Sequence, residues 1–486
     1  VSEKGTRRVE PRLPRGLQDF LPERALARQE LIDRIRRAYE AHGFAPLSTG
    51  AVECFEALAG SGGQDANRQI FRVDCGEDEA LGLRYDLTVP LARVVASHQQ
   101  EIPRPFRRYQ VGSVWRIDKP GPGRYREFTQ FDADIVGTTS AVADACCVAA
   151  ARDALEALVP AATDLPRRFR IRMSDRRILD AMFGAVGLAP ERAHEVLRVI
   201  DKLDRVGRDK VALELTAGYV DASGDKIPGL GLPQDRVARI LSFLDIRGDT
   251  RQDVLAQVAA FLGTGDVPER AVGAAREFSD LLDALGVSDE EAIFDVAIAR
   301  GLDYYTGPVF EFALLEAPSF GSIGSGGRYD NLVSRFSGQA WPGVGVSMGV
   351  DRLLAALAHS GGLPHVPSCA DVLVTTMDAS RMRDYARLCA TLRAAGLRTE
   401  LFAGPPGSFG KQVKYADKAG IPVLVIAGTD ELARGVVTVK QMREPTFASD
   451  ASREQWLAAR LGQTEVEASS VVAGVREALA APREHA

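Results

Sequence analysis

The sequence predicts an α+β domain carrying a helical insertion, followed by a separate α/β domain whose sheet is mostly parallel. Three observations predict it. Strand-like runs flank turns near Gly76 and Pro120. Helical patterns then take over across residues 184–289. Beyond a Gly/Pro-rich stretch at residues 359–368, short apolar runs alternate with helical ones, the rhythm of a parallel sheet. A chain of 486 residues is also too long for one core.

The elements follow in order. Residues 22–42 read as an amphipathic helix, with Leu26, Leu31, Ile35 and Ala38 near a helical period and Gly43 as its end. Residues 141–158 form an Ala-rich helix. Residues 168–173 alternate like a strand, and Asp175 is placed to cap a helix starting at Arg176. Within the insertion, residues 237–244 and 254–262 are helical. After the linker come a strand at 371–376, a helix at 382–394 and a strand at 398–402. Ser408 opens a helix that Gly420 and Pro422 close, and residues 423–427 are a further strand. The tail from about Glu465 carries only a weak helical pattern.

Composition narrows the function class. No apolar run is long enough to span a bilayer, and the charged N-terminus lacks a signal-peptide core, so the cytoplasm is the expected compartment. The six cysteines include no CxxC pair and give no zinc-ligand spacing. A net charge of −6 excludes polyanion binding by bulk charge, so any nucleic acid must meet local patches. Two candidates are the crowd Arg167, Arg168, Arg170, Arg172, Arg176 and Arg177, and the helical face Lys411, Lys414 and Lys418. No Walker A loop is present.

The run RIDKPGPGRYREFTQFDAD at residues 116–134 carries the most chemistry. Arg116 leaves a strand, the chain turns through Pro and Gly, and Arg124, Arg126 and Phe128 return on one face. A guanidinium fork chelates phosphate oxygens, and an aromatic ring can lie under a purine, so the layout suits a nucleoside triphosphate. Gln130 and Asp134 share a face further along and offer polar groups beside the nucleotide.

This run resembles motif 2 of the class II aminoacyl-tRNA synthetases. With FRVDCG (71–76) and LRYDLTVP (83–90), it resembles the histidyl-tRNA synthetases in particular. ARGLDYYTG (299–307) and GGRYD (326–330) resemble that family's two histidine signatures, and GVSMGVDRL (345–353) resembles motif 3. The resemblance implies a catalytic domain at residues 1–365 on a mostly antiparallel class II sheet, with the insertion at 184–289. Residues 370–486 would be an anticodon-binding-like α/β domain.

It also implies site residues. Arg116 and Arg300 would be catalytic, Arg300 standing beside the α-phosphate and substrate carboxylate where other class II enzymes use a metal. Arg116, Arg124, Phe128 and Arg352 would bind ATP, Arg352 on the distal phosphates. Asp86, Thr88 and Gln130 would take the α-ammonium of L-histidine. Asp134 and Tyr305 would read the imidazole, with Tyr304 on the pocket wall. A neutral imidazole offers one donor and one acceptor, and a pocket pairing both rejects apolar isosteres.

ATP is implied as substrate with Mg2+, Asp118 or a neighbouring acid lying near the ion, and no metal-ligand set is assigned. The implied partners are tRNA(His) and a second copy of the chain. The sequence departs from motif 1 at Thr49-Gly50, where the family carries a Thr-Pro pair. A synthetase-like regulatory subunit of ATP phosphoribosyltransferase is the rival reading, but that class degrades the motif arginines, and here Arg116, Arg300 and Arg352 all stand. A threonine or proline enzyme is the third; threonine enzymes need zinc-binding Cys/His groups that this sequence does not offer, and the 300–305 block also points away.

Overall fold

A computed structural model describes residues 9–480, except 60–66, 77, 122, 160–167, 222, 300–303, 365, 367 and 443–461. It divides into two compact units, one of Val1–Asp19 and Leu31–Leu363, the other of Phe20–Glu30 and Pro364–Ala486.

The first unit is built on an eight-stranded mixed sheet. In spatial order its strands are Ala45–Pro46, Phe106–Trp115, Glu127–Val136, Gly343–Gly349, Ser322–Tyr329, Pro308–Leu314, Phe169–Asp175 and Ala292–Phe294. The two outermost pairs are parallel and the pairs between them antiparallel. Phe106–Trp115 and Glu127–Val136 form a long hairpin whose turn holds Arg116 to Arg126. Its far strand is flanked by Gly343–Gly349, so motif 2 and motif 3 are neighbours in the sheet.

Helices cover this sheet. Ala141–Leu158 is capped by Ser140, whose side chain accepts from the Val142 N–H. Its small side chains let it lie close, and most of them are buried. The helix Pro22–Ala41 turns Leu31, Ile35 and Tyr39 inward, with the Tyr39 ring edge-on to Phe131 at 5.3 Å. Asp175 does cap Arg176–Ala185, accepting from the Arg177 N–H at 2.9 Å.

Residues 184–289 are mainly helical, with a short antiparallel pair, Gly218–Val220 and Lys226–Pro228, that the sequence pattern did not announce. The helices share a core with Arg176–Ala185 and Phe294, in which Val196, Leu215, Ile240, Phe243 and Leu255 are buried. Thr250 and Asp253 form a reciprocal capping box on Arg251–Leu262.

The second unit carries a five-stranded sheet in the order Thr399–Leu401, Val372–Val374, Val423–Ile426, Val436–Gln441, Gln463–Glu467. The first two pairs are parallel and the last two antiparallel. This corrects the expectation of a mostly parallel sheet. Only the short helix Thr429–Arg434 separates Val423–Ile426 from Val436–Gln441. A parallel crossover needs roughly a dozen residues or more, so the chain returns antiparallel.

Candidate active site

Motif 2 begins at the end of Phe106–Trp115. Arg116 donates from Nε to the Tyr85 carbonyl at 3.1 Å. Its guanidinium lies over two rings, 4.2 Å from the centroid of Tyr85 and 5.2 Å from that of Phe128. Stacking and one hydrogen bond fix the plane of the fork while no described residue accepts from its terminal nitrogens. Phe128 therefore supports Arg116 as well as facing the cleft.

The turn closes through a bridge between Gly121 and Arg124, and Gly123 takes a φ of +65° that a side chain would strain. A Cβ there would also press on Phe320 at 3.3 Å and Arg352 at 3.4 Å. Arg126 departs from the expected shared face. The regular strand starts at Glu127, so alternation does not reach back to Arg126. Its N–H bonds to the Gly16 carbonyl at 2.7 Å and its Nε to that of Asp118 at 3.3 Å.

Arg352 sits in the first turn of the helix Val350–His359 and donates to the Ser322 carbonyl at 2.8 Å. The preceding Asp351 is buried and accepts the Thr129 N–H at 2.7 Å, tying this helix to the motif 2 strand. Arg116, Arg124, Phe128, Gln130 and Arg352 all line one cleft of about 230 Å³, with Asp118, Ser347 and the Ser322–Ser325 segment.

Beside the cleft lies a buried polar cluster. Asp134 is 2% exposed. The Tyr329 hydroxyl donates to its Oδ1 at 2.5 Å, and Arg108 approaches its Oδ2 at 2.7 Å. Burial pushes the Asp134 carboxyl up, while Arg108 and Tyr329 pull it down. Room for this carboxylate comes from Gly345 directly across the sheet, where a Cβ would fall 1.9 Å from Oδ1. Gly327 likewise makes room for the Tyr305 ring, 2.8 Å from a Cβ built there. Tyr305 meets Tyr304 edge-on at 5.2 Å, and Tyr304 tilts against Tyr329 at 5.4 Å. Burial, then the nearby Asp134, pushes the Tyr305 phenol up, so it stays a donor.

Asp86 accepts the N–H groups of Thr88 and Val89 at 3.1 and 2.9 Å through Oδ1, which orients it at the start of the helix Thr88–Ser97. Burial raises its carboxyl, those bonds and Arg116 opposing. The structure thus gathers Asp86, Thr88, Asp134, Tyr304 and Tyr305 next to the cationic cleft, with Gln130 at the junction. Arg300 lies outside the described residues.

The sequence reading passed over Arg108, Asp132, Tyr85 and Ser347. Asp132 was available to it, since Gln130, Asp132 and Asp134 are three polar groups at a strand period. Four arginines of the 167–177 crowd prove to be held by acids of this chain: Arg168 by Glu316, Arg172 by Asp295 and Asp204, Arg176 by Asp180 and Arg177 by Asp175. They make a poor nucleic-acid patch.

Comparison with known proteins decides the family. A family model described as histidyl-tRNA synthetase matches residues 16–353. The chain belongs to the histidyl-tRNA synthetase family. An anticodon-binding-domain model matches residues 371–476. Among this family's curated members, the histidine–tRNA ligase of Paracoccus denitrificans is 43% identical over 98% of this chain and 99% of its own. That of Ruegeria pomeroyi is 42% identical over 98% of each. The crystal structure of histidyl-tRNA synthetase from Nostoc sp. PCC 7120 superposes with a TM-score of 0.79 at 32% identity, covering 97% of this chain and 100% of that one. Among the described residues, no helix is long and apolar enough to cross a membrane.

Proposed function

We propose that this chain is a histidine–tRNA ligase, activating L-histidine with ATP and passing the histidyl group to tRNA(His). The observation that carries it is a guanidinium-lined cleft that holds Gln130 beside the cluster of Asp134, Tyr329, Tyr304 and Tyr305. The α-carboxylate of histidine attacks the α-phosphorus of ATP, and pyrophosphate leaves. A ribose hydroxyl at the tRNA 3′ end then attacks the activated carbonyl, and AMP leaves.

Arg116 takes the α-phosphate, its plane already set by Tyr85 and Phe128. Phe128 flanks the adenine, Arg352 takes the distal phosphates, and Arg124 on the turn closes over the nucleotide. Fixed cations matter here because the step gathers negative charge in a small space. Asp86, Thr88 and Gln130 receive the α-ammonium. Asp134 and Tyr305 read the two ring nitrogens, with Tyr304 as wall. Arg300 would bridge the α-phosphate and the carboxylate, a role that rests on the resemblance alone.

Among the described residues no three Asp, Glu, His or Cys groups cluster as a metal site, and Asp118 is the acid lining the cleft. That donor set suits Mg2+ arriving on ATP, since this ion is usually held by one or two carboxylates plus phosphate oxygens. When bound, it neutralises phosphate charge. The catalytic unit at residues 1–365 and an anticodon-reading unit at 370–486 belong to the same reading, as does a homodimer.

The test is ATP–pyrophosphate exchange with each amino acid. Histidine alone should support exchange, and Arg300→Ala should lower it by about 100-fold or more, the scale of losing a charge-stabilising donor. Exchange with another amino acid, or none with histidine, would overturn the assignment.

A further inference from the structure

We propose that Asp132 and Ser347 are positioning residues that set the Gln130 amide so that its carbonyl, not its NH2, faces the amino group of the bound amino acid. This rests on the reading that Gln130 receives that group.

The three side chains form a directed chain of hydrogen bonds. Ser347 lies directly across the sheet from Asp132, and Gln130 is two residues before Asp132 on the same strand face. The Ser347 hydroxyl donates to Asp132 Oδ1 at 2.5 Å. Gln130 Nε2 donates to Ser347 Oγ at 2.7 Å. A hydroxyl has a single proton. With that proton committed to a carboxylate, Ser347 can only accept from its other neighbour. Gln130 must therefore turn its NH2 toward Ser347 and its Oε1 away.

That Oε1 is the informative atom. Gln130 is 8% exposed, and its Oε1 is buried with no hydrogen-bond partner among the described residues. A buried carbonyl left unpaired is costly, and such an atom calls for a ligand donor. Gln130 lines the cleft, so the donor comes from the ligand side. A flipped amide would present two N–H groups to an ammonium, a repulsive arrangement. Flipping requires Ser347 to give up its short bond to Asp132. Asp132 is 2% exposed and touches the substrate only through this relay.

The prediction separates a ligand's amino group from its ring. Histidinol carries both, whereas imidazolepropionate has the ring and a carboxylate but no amine. Titration calorimetry of the full chain with each compound reads the two apart. Ser347→Ala should weaken histidinol about 10-fold and leave imidazolepropionate within about 2-fold, while Ser347→Thr, which keeps the hydroxyl, should restore histidinol binding. Equal weakening of both ligands, or unchanged histidinol binding, would overturn the relay. Wild-type protein that lacks histidine-dependent exchange overturns the histidine reading itself, and the relay with it, before any variant is made.

Discussion

Arg108 is fully buried, and the carboxylate it meets, Asp134, is buried too. Removing one member of such a pair leaves an uncompensated charge, so Arg108→Ala should cost about 3–5 kcal/mol in urea denaturation. Arg116→Ala should behave oppositely. Its side chain makes one hydrogen bond and two ring contacts to the protein, so the stability loss should stay within about 2 kcal/mol while pyrophosphate exchange falls about 100-fold or more. Asp132 gives a pH signature. Burial pushes its carboxyl up to about 7, Asp134 and Asp86 adding to the rise and Arg108 and Ser347 opposing it. The folded state then holds this proton more tightly than the unfolded chain, whose carboxyl keeps the usual value near 3.8. Stability from this group is present below the unfolded value and is lost as pH rises toward 7. Asp132→Asn should flatten the fall of Tm across that window, and an unchanged Tm–pH slope would remove Asp132 from the account. Arg116 was legible from its own run, where a guanidinium leaves a strand at a Pro/Gly turn, and Arg352 only through the resemblance of its block to motif 3. Arg108 was not, since nothing in a strand sequence says which carboxylate will face it across the sheet.

At the scale of elements, the site depends on glycines in one strand making space for side chains of the next. Gly345→Ala would drive a methyl into the Asp134 carboxylate, so the KM for histidine should rise with a stability loss of about 1–3 kcal/mol. Thr250→Ala in the insertion's capping box is the contrast. It should cost about 1 kcal/mol in thermal unfolding and leave exchange untouched. Helix starts were readable in advance at Asp175, because a cap is a local device. The Gly218–Val220 pair and the antiparallel half of the second sheet were not, because strand direction depends on connection length and partner, which periodicity does not carry.

At the scale of the whole molecule, a net charge of −6 leaves tRNA binding to local surfaces. Lys411, Lys414 and Lys418 are exposed along Phe409–Lys418 in the second unit. Changing all three to alanine should raise the KM for tRNA and weaken its salt dependence, with pyrophosphate exchange unaltered. Loss of exchange would tie these lysines to activation instead. Under the proposed function labour is divided between neighbours, with the arginines lining the cleft for ATP and the acid–phenol cluster beside it for histidine. Calorimetric titration of histidine into wild-type, Tyr305→Phe and Arg352→Ala protein tests it most directly. Tyr305→Phe should weaken histidine about 10-fold or more, whereas Arg352→Ala should leave it within about 2-fold of wild type. Equal losses in both variants, or none in Tyr305→Phe, would contradict that division.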